Sequence, residues 1–205
     1  MAAQSARRTD HPGHPVIRAF VGVKLDSLII QRMAALAAQL KLRLPEVRWV
    51  PGENLHFTLK FLGEIEEEQI SSIANTLDGA LRPFPRFAIN AKGVGVFPDL
   101  KRARVLWVGL ERDNLGKLAS RVDTALESLG FARETRAFAP HLTIGRWRQA
   151  HGSPAELGKQ LEQWKAYEFG SSTVEQVILF QSVLDRHGAT YHPLKVFPLN
   201  RELVV

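Results

Sequence analysis

The chain has 205 residues, 45% hydrophobic and 23% charged, which places it in the globular class and leaves no room for wholesale disorder or a fibrous repeat. It contains no cysteine, so disulfides, thiolate nucleophiles and thiolate-bound metals are excluded. The net charge of +6 favours anionic partners, and the apolar runs are far shorter than the roughly 20 residues a membrane helix needs. No secretory or twin-arginine signal follows Arg7 and Arg8, since Arg18 and Lys24 interrupt the next apolar segment. The expected location is cytoplasmic, with no membrane association.

In chain order, residues 1–15 lack periodicity and are expected to form a flexible tail, leaving 16–205 as a single bilobal domain. Val16–Val23 reads as a strand, and Asp26 is placed to cap a helix whose Ile29, Met33, Leu36, Ala37 and Leu40 share a face. Pro45 and Gly52 punctuate the chain around Val47–Val50, and Leu55–Leu62 reads as the next strand. Glu66, Glu67 and Glu68 suit the N-terminus of a second helix carrying Ile70, Ile73, Ala74, Leu77 and Leu81, which Pro83 and Pro85 stop. Phe87–Ala91 and Val94–Phe97 look like two short strands, followed by a polar turn over Pro98–Arg102 and the β-rich Arg104–Leu110.

The pattern then restarts. Asp113 is placed to cap a helix bearing Leu118, Val122, Ala125, Leu126 and Leu129, which Gly130 ends. Phe138–Ile144 is the next strand, and Ser153, Pro154 and Glu156 open a fourth helix through Leu157, Leu161 and Trp164. Val174–Phe180 and Tyr191–Leu199 are expected as closing strands. Val21, Val23 and Leu25 match Leu106, Val108 and Leu110 at a constant offset of 85, and the same offset relates His56 to His141 and Thr58 to Thr143. An internal duplication follows, giving an α+β fold of two pseudo-symmetric lobes, with antiparallel sheets flanked by helices around a central cleft.

His56-Phe57-Thr58-Leu59 and His141-Leu142-Thr143-Ile144 carry the chemistry. Seven His and eight Thr among 205 residues give roughly 0.3 His-x-Thr matches by chance, so two at the repeat offset are informative. In a strand, residues i and i+2 share a face, so each histidine stands beside its threonine hydroxyl while the intervening residues face a core. Two imidazoles meeting across one cleft suit in-line displacement at a phosphate: one deprotonates water and the other protonates the departing oxygen. The residues alone do not tell donor from acceptor, because the two copies are near mirror images. Without the pair, the same residues read as satisfied core histidines and ordinary β-branched threonines.

These segments resemble the two-histidine phosphoesterases, and within them the RNA 2′,3′-cyclic phosphodiesterases, also called 2′-5′ RNA ligase-like proteins. The similarity runs from about Ile17 to Leu199. It includes Arg18-Ala19-Phe20-Val21, Glu53 through Gly63, Gly95-Val96-Phe97-Pro98, Arg104 through Gly109, Pro140 through Arg146 and Gln181-Ser182-Val183-Leu184. The resemblance implies a bilobal α+β fold, no metal and no cofactor, and opening of RNA 2′,3′-cyclic phosphate ends to 2′-phosphomonoesters. It also implies His56 as the proton donor to the 3′ oxygen, His141 as the proton acceptor, and Thr58, Thr143 and Arg146 as phosphate-binding groups. Gly145 stands where the family often has another small residue.

Other readings within the same chemistry are a 2′-5′ RNA ligase or a phosphodiesterase for small cyclic nucleotides. From another class comes a non-catalytic RNA-binding module. The expected partner is an RNA or oligonucleotide with a 2′,3′-cyclic phosphate end, bound by a monomer. Phe97 is a candidate for base stacking, or else a turn aromatic. Lys101, Arg102 and Arg104, with Arg133, Arg136 and Arg148, either guide an RNA backbone or form a solvated surface, the commoner role of such clusters. Tyr191 either lines the site or packs. His11, His14, His151, His187 and His192 read as surface histidines, and no run has zinc-site spacing.

Overall fold

The computed structural model describes residues 15–204, apart from 112, 150–152 and 185–187; residues 1–14 of the expected tail, with His11 and His14, and also His151 and His187, lie outside the described residues. The order of elements is β1 (Val16–Val23), α1 (Ser27–Lys41), β2 (Val47–Trp49), β3 (Phe57–Glu66), α2 (Gln69–Leu81), β4 (Pro85–Phe97) and β5 (Val105–Leu110). There follow α3 (Asp113–Glu127), β6 (His141–Trp147), α4 (Pro154–Glu162), β7 (Glu168–Val174), β8 (Gln176–Leu184), β9 (Ala189–Pro198) and β10 (Asn200–Val204). Among the described residues, no helix is long and apolar enough to cross a membrane.

The strands form two sheets, one ordered β3-β1-β8-β9 and the other β10-β4-β5-β6-β2, with β7 also paired to β4. All pairings are antiparallel except β10 with β4. The two halves of the chain are interlaced: β4, from the first half, pairs with β5, while β8, from the second, pairs with β1. The helices cross over too, α1 packing against β7 and α3 against β3. One apolar cluster therefore spans both sheets, with Val21, Phe57, Leu106, Leu142, Ile29 and Leu118 all in it. Neither sheet could bury its inner face without elements from the other half of the chain.

The duplication extends to hydrogen-bond register. Val23 pairs with Phe57, Gly22 with Thr58, Val21 with Lys60 and Phe20 with Phe61. The residues 85 positions on repeat this: Val108 with Leu142, Trp107 with Thr143, Leu106 with Gly145 and Val105 with Arg146. Each ladder skips one residue at the same place, so Leu59 in β3 and Ile144 in β6 are the extra residues of matching β-bulges. A size exchange accompanies the match. Gly22 opposes Ile178, whereas its counterpart Trp107 opposes Gly95, where an added Cβ would sit 2.2 Å from the indole ring.

Several elements differ from expectation. The two short strands expected at Phe87–Ala91 and Val94–Phe97 are one strand, β4, because Gly93 at φ +74° absorbs a bulge without ending the ladder. Strands β7 and β10 were not expected; Gly170-Ser171-Ser172 looks like a loop in sequence but is held as a strand by pairing with Asn90 and its neighbours in β4. Asp26 occupies the N-cap position yet makes no cap hydrogen bond; its Oδ2 accepts from the Thr173 N–H at 3.3 Å, and its own N–H donates to Ser172 Oγ at 3.0 Å. Asp113 lies in the first turn of α3 instead of capping it. Gly130 ends that region as expected, at φ +87°.

Candidate active site

His56 immediately precedes β3 and His141 opens β6, so both imidazoles stand at strand starts rather than inside strands. Along β3, Phe57, Leu59, Lys60 and Leu62 are buried, while Thr58 is half-buried and Phe61 is 73% exposed. Along β6, Leu142, Ile144, Gly145 and Trp147 are buried, Thr143 is half-buried and Arg146 is exposed. In a regular strand, Arg146 would face away from His141, because five positions is an odd number. The bulge at Ile144 adds a residue and reverses the phase, so His141, Thr143 and Arg146 share one face. The bulge at Leu59 does the same for His56, Thr58 and Phe61.

Both imidazoles are tethered alike. His56 Nδ1 lies 2.8 Å from the Asn54 carbonyl oxygen, and His141 Nδ1 lies 2.8 Å from that of Ala139, its counterpart 85 positions on. A carbonyl only accepts, so each Nδ1 carries the hydrogen and donates it, and each Nε2 is left to gain or lose a proton. Burial pushes both pKa values below the ordinary 6.5, with the carbonyl bonds opposing the shift. The Arg146 guanidinium adds to the lowering at both rings, and Lys24 lowers His56 as well. Arg146 is thus near enough to both histidines to act on each, and β3 and β6 contact one another across the two sheets.

The rings differ in their surroundings. Phe20 lies 4.7 Å from His56, tilted by 30°, and Tyr191 meets His56 edge-on at 4.7 Å. Phe20 itself stacks on Phe180 at 5.0 Å, and the Lys24 ammonium sits 5.9 Å from the Phe180 ring centre. Among the described residues, the ring neighbour of His141 is Phe97, edge-on at 4.9 Å and also 5.0 Å from Trp107. Phe97 and Phe180 hold matching places, opposite Val105 and Phe20 respectively, but Phe180 is buried and Phe97 half-buried. Tyr191 therefore lines the site beside His56, and Phe97 lies beside His141.

Thr58 and Thr143 make no side-chain hydrogen bond to protein among the described residues, so both hydroxyls are available to a ligand. Behind the site, Lys60 is 8% exposed, is ion-paired with Asp123 of α3, and donates to the Ala132 carbonyl at 2.7 Å. Asp123 in turn accepts from the Glu134 N–H at 3.2 Å. That cluster fixes β3 to the irregular segment leading into Ala139 and His141.

Of the basic residues noted in sequence, Arg102 pairs with Asp99, Arg133 with Glu127 and Arg136 with Glu134. Arg104 donates to the Arg148 carbonyl. His192 is exposed on β9. Among the described residues, no group of three or more His, Asp or Glu could hold a metal ion. A surface depression of about 560 Å³ along Gly116, Lys117, Ser120, Arg121 and Thr124 of α3 contains none of the histidine or threonine pairs. Sequence reasoning missed Lys24, Phe20 and the two carbonyls that fix the rings. The carbonyls leave no sequence signal, since any residue at 54 or 139 supplies one.

A duplicated pair of antiparallel sheets presenting one His-x-Thr from each half defines a two-histidine phosphoesterase. The model of the LigT-like phosphoesterases matches the chain twice, over residues 23–107 and 108–191, and the chain belongs to that family. The two matches begin 85 positions apart, the offset of the repeat. The chain is 34% identical over 179 residues to an RNA 2′,3′-cyclic phosphodiesterase of Methanocaldococcus jannaschii, covering 87% of this chain and 99% of that protein. It is 38% identical over 150 residues to the protein of the same name from Aeropyrum pernix, covering 72% and 84%. Among solved structures, TT0787 of Thermus thermophilus shares the fold, with a TM-score of 0.78, 24% identity and 91% of this chain covered against 100% of that one. E. coli LigT complexed with 3′-AMP gives a TM-score of 0.73 at 25% identity over the same shares.

Proposed function

We propose that this protein hydrolyses RNA 2′,3′-cyclic phosphate ends to 2′-phosphomonoesters, using two histidines as acid and base. The observation that carries the reading is the matched tethering of His56 and His141, which gives both the same tautomer, with one guanidinium, Arg146, acting on both. Neutral His141 accepts a proton from water at Nε2 as the water oxygen bonds to phosphorus. The bond from phosphorus to the 3′ oxygen breaks, and protonated His56 gives its Nε2 proton to that oxygen. The product carries a 2′-phosphate and a free 3′ hydroxyl, and the two imidazoles exchange protons with solvent to reset.

Thr58, Thr143 and Arg146 hold the non-bridging oxygens. The lowered pKa makes protonated His56 a stronger acid, and the anionic phosphate favours its protonation once bound. No step in this scheme calls on a metal ion or cofactor. Phe97, half-buried beside His141, is the candidate stacking partner for a nucleobase. In this reading the substrate is an RNA or oligonucleotide end, met by a monomer in the cytoplasm.

The test is incubation with a short RNA ending in a 2′,3′-cyclic phosphate, in chelator, with the product followed by phosphorus NMR. A 2′-monoester is expected. A 3′-monoester, or no turnover, overturns the reading.

A further inference from the structure

Arg48 lies directly across from Arg146 in the β2–β6 ladder. Residues so paired project to the same face, about 5 Å apart at Cβ. The neighbouring pair, Val47 with Trp147, is buried on the opposite face, and both arginines are exposed. Arg48 therefore shares the face that carries His141, Thr143 and Arg146. Like charges placed directly opposite in a sheet are destabilising. Elsewhere, Arg82, Arg86, Arg102, Arg133 and Arg136 each have a carboxylate partner, and Arg18, Arg43, Arg121 and Arg148 have none among the described residues, so what sets Arg48 and Arg146 apart is their direct pairing. Among the described residues Arg48 and Arg146 have none. A side-by-side pair of unneutralised guanidinium groups is suited to an anionic ligand, since each group can hold a phosphate by two parallel hydrogen bonds.

The position of Arg48 says which phosphate. His141, Thr143 and Arg146 all stand on β6, so Arg48, on the neighbouring strand, lies outside the row they form. It stands on β2, the edge strand of its sheet, one strand outward from β6. A ligand running from the histidines past Arg146 meets Arg48 last, and no further strand blocks its way.

We propose that Arg48 holds the phosphodiester on the 5′ side of the terminal nucleoside, forming a second phosphate subsite that favours oligonucleotide ends over mononucleotides. This rests on the phosphodiesterase reading for the identity of the ligand, but binding alone tests it. The probes are adenosine 2′-phosphate and the dinucleotide ApA bearing a 2′-phosphate, titrated calorimetrically against the full chain and the Arg48→Gln and Arg48→Lys variants.

The expected result is that the dinucleotide-to-mononucleotide affinity ratio falls about tenfold in Arg48→Gln and is partly restored in Arg48→Lys. The slope of log affinity against log salt for the dinucleotide should also fall by about 0.7, the loss of one phosphate contact on a single strand. An unchanged ratio, whether both affinities fall or neither does, overturns the subsite. Turnover of the two matching cyclic phosphates by the parent protein is measured alongside. Absence of turnover refutes the activity, whereas the affinity ratio still decides the subsite.

Discussion

Phe61 and Arg146 occupy the same place in the two halves of the chain. Each lies five residues beyond its histidine, past a bulge at the same position, and opposite matching residues of the neighbouring strand, Phe20 and Val105. The duplication thus delivers an apolar ring on the His56 side of the cleft and a cation on the His141 side. The site is symmetric in its imidazoles and hydroxyls and asymmetric in what flanks them, which lets the matching His-x-Thr segments take different roles.

Replacing either histidine should remove proton transfer at one end of the displacement. His56→Ala and His141→Ala are each expected to lower turnover of a cyclic-phosphate RNA by about 10²–10⁴-fold. Activity within a few-fold of the parent in either variant would sink the two-histidine mechanism.

The flanking cations should be separable by titration. Both histidines ionise below 6.5, so the neutral forms persist to lower pH than usual. Since turnover needs one ring protonated and one neutral, kcat/KM should be bell-shaped with its centre below that value. Removing a positive neighbour raises the pKa, so Lys24→Gln should raise the His56 midpoint alone and Arg146→Gln should raise both. Proton NMR of the ring C–H signals reads this directly, and equal effects of the two substitutions would contradict the arrangement.

Lys60 and Asp123 test how firmly the second histidine is held. Lys60→Met leaves the Asp123 carboxylate largely buried without its main partner, and should cost about 3–5 kcal/mol in a denaturant titration. Replacing both residues by apolar side chains should cost less than the single change. If the single and double variants are equally stable, the pair is not coupled as described.

Gly22 sits against the strand that His56 introduces. A Cβ there would lie 2.8 Å from the Phe57 carbonyl oxygen and 3.5 Å from His56 Cδ2. The first contact is with backbone, so it cannot be relieved by a rotamer change. Gly22→Ala is expected to destabilise by about 1–3 kcal/mol and to reduce kcat by shifting His56. A variant with unaltered stability would show that β1 and β3 separate more easily than their ladder suggests.

The amino-acid sequence by itself determined the two His-x-Thr segments, the offset of 85 and the apolar faces of the helices. These depend on local periodicity, which the backbone imposes on each segment alone. The hydroxyl of each threonine beside its imidazole was legible for the same reason. Tertiary structure decided the rest. The bulges at Leu59 and Ile144 turn Phe61 and Arg146 onto the faces of the histidines, and they exist only because β1 and β5 pair with a residue skipped. Strands β7 and β10 form because β4 offers ladders to unlikely sequences, and the Asp26 carboxylate accepts from the Thr173 N–H, brought beside it by the fold, instead of from its own helix. Arg48 meets Arg146 through a register that no single segment contains. Which partner a strand finds, and in which register, is settled by burying both sheets in one shared core, and that choice is nonlocal.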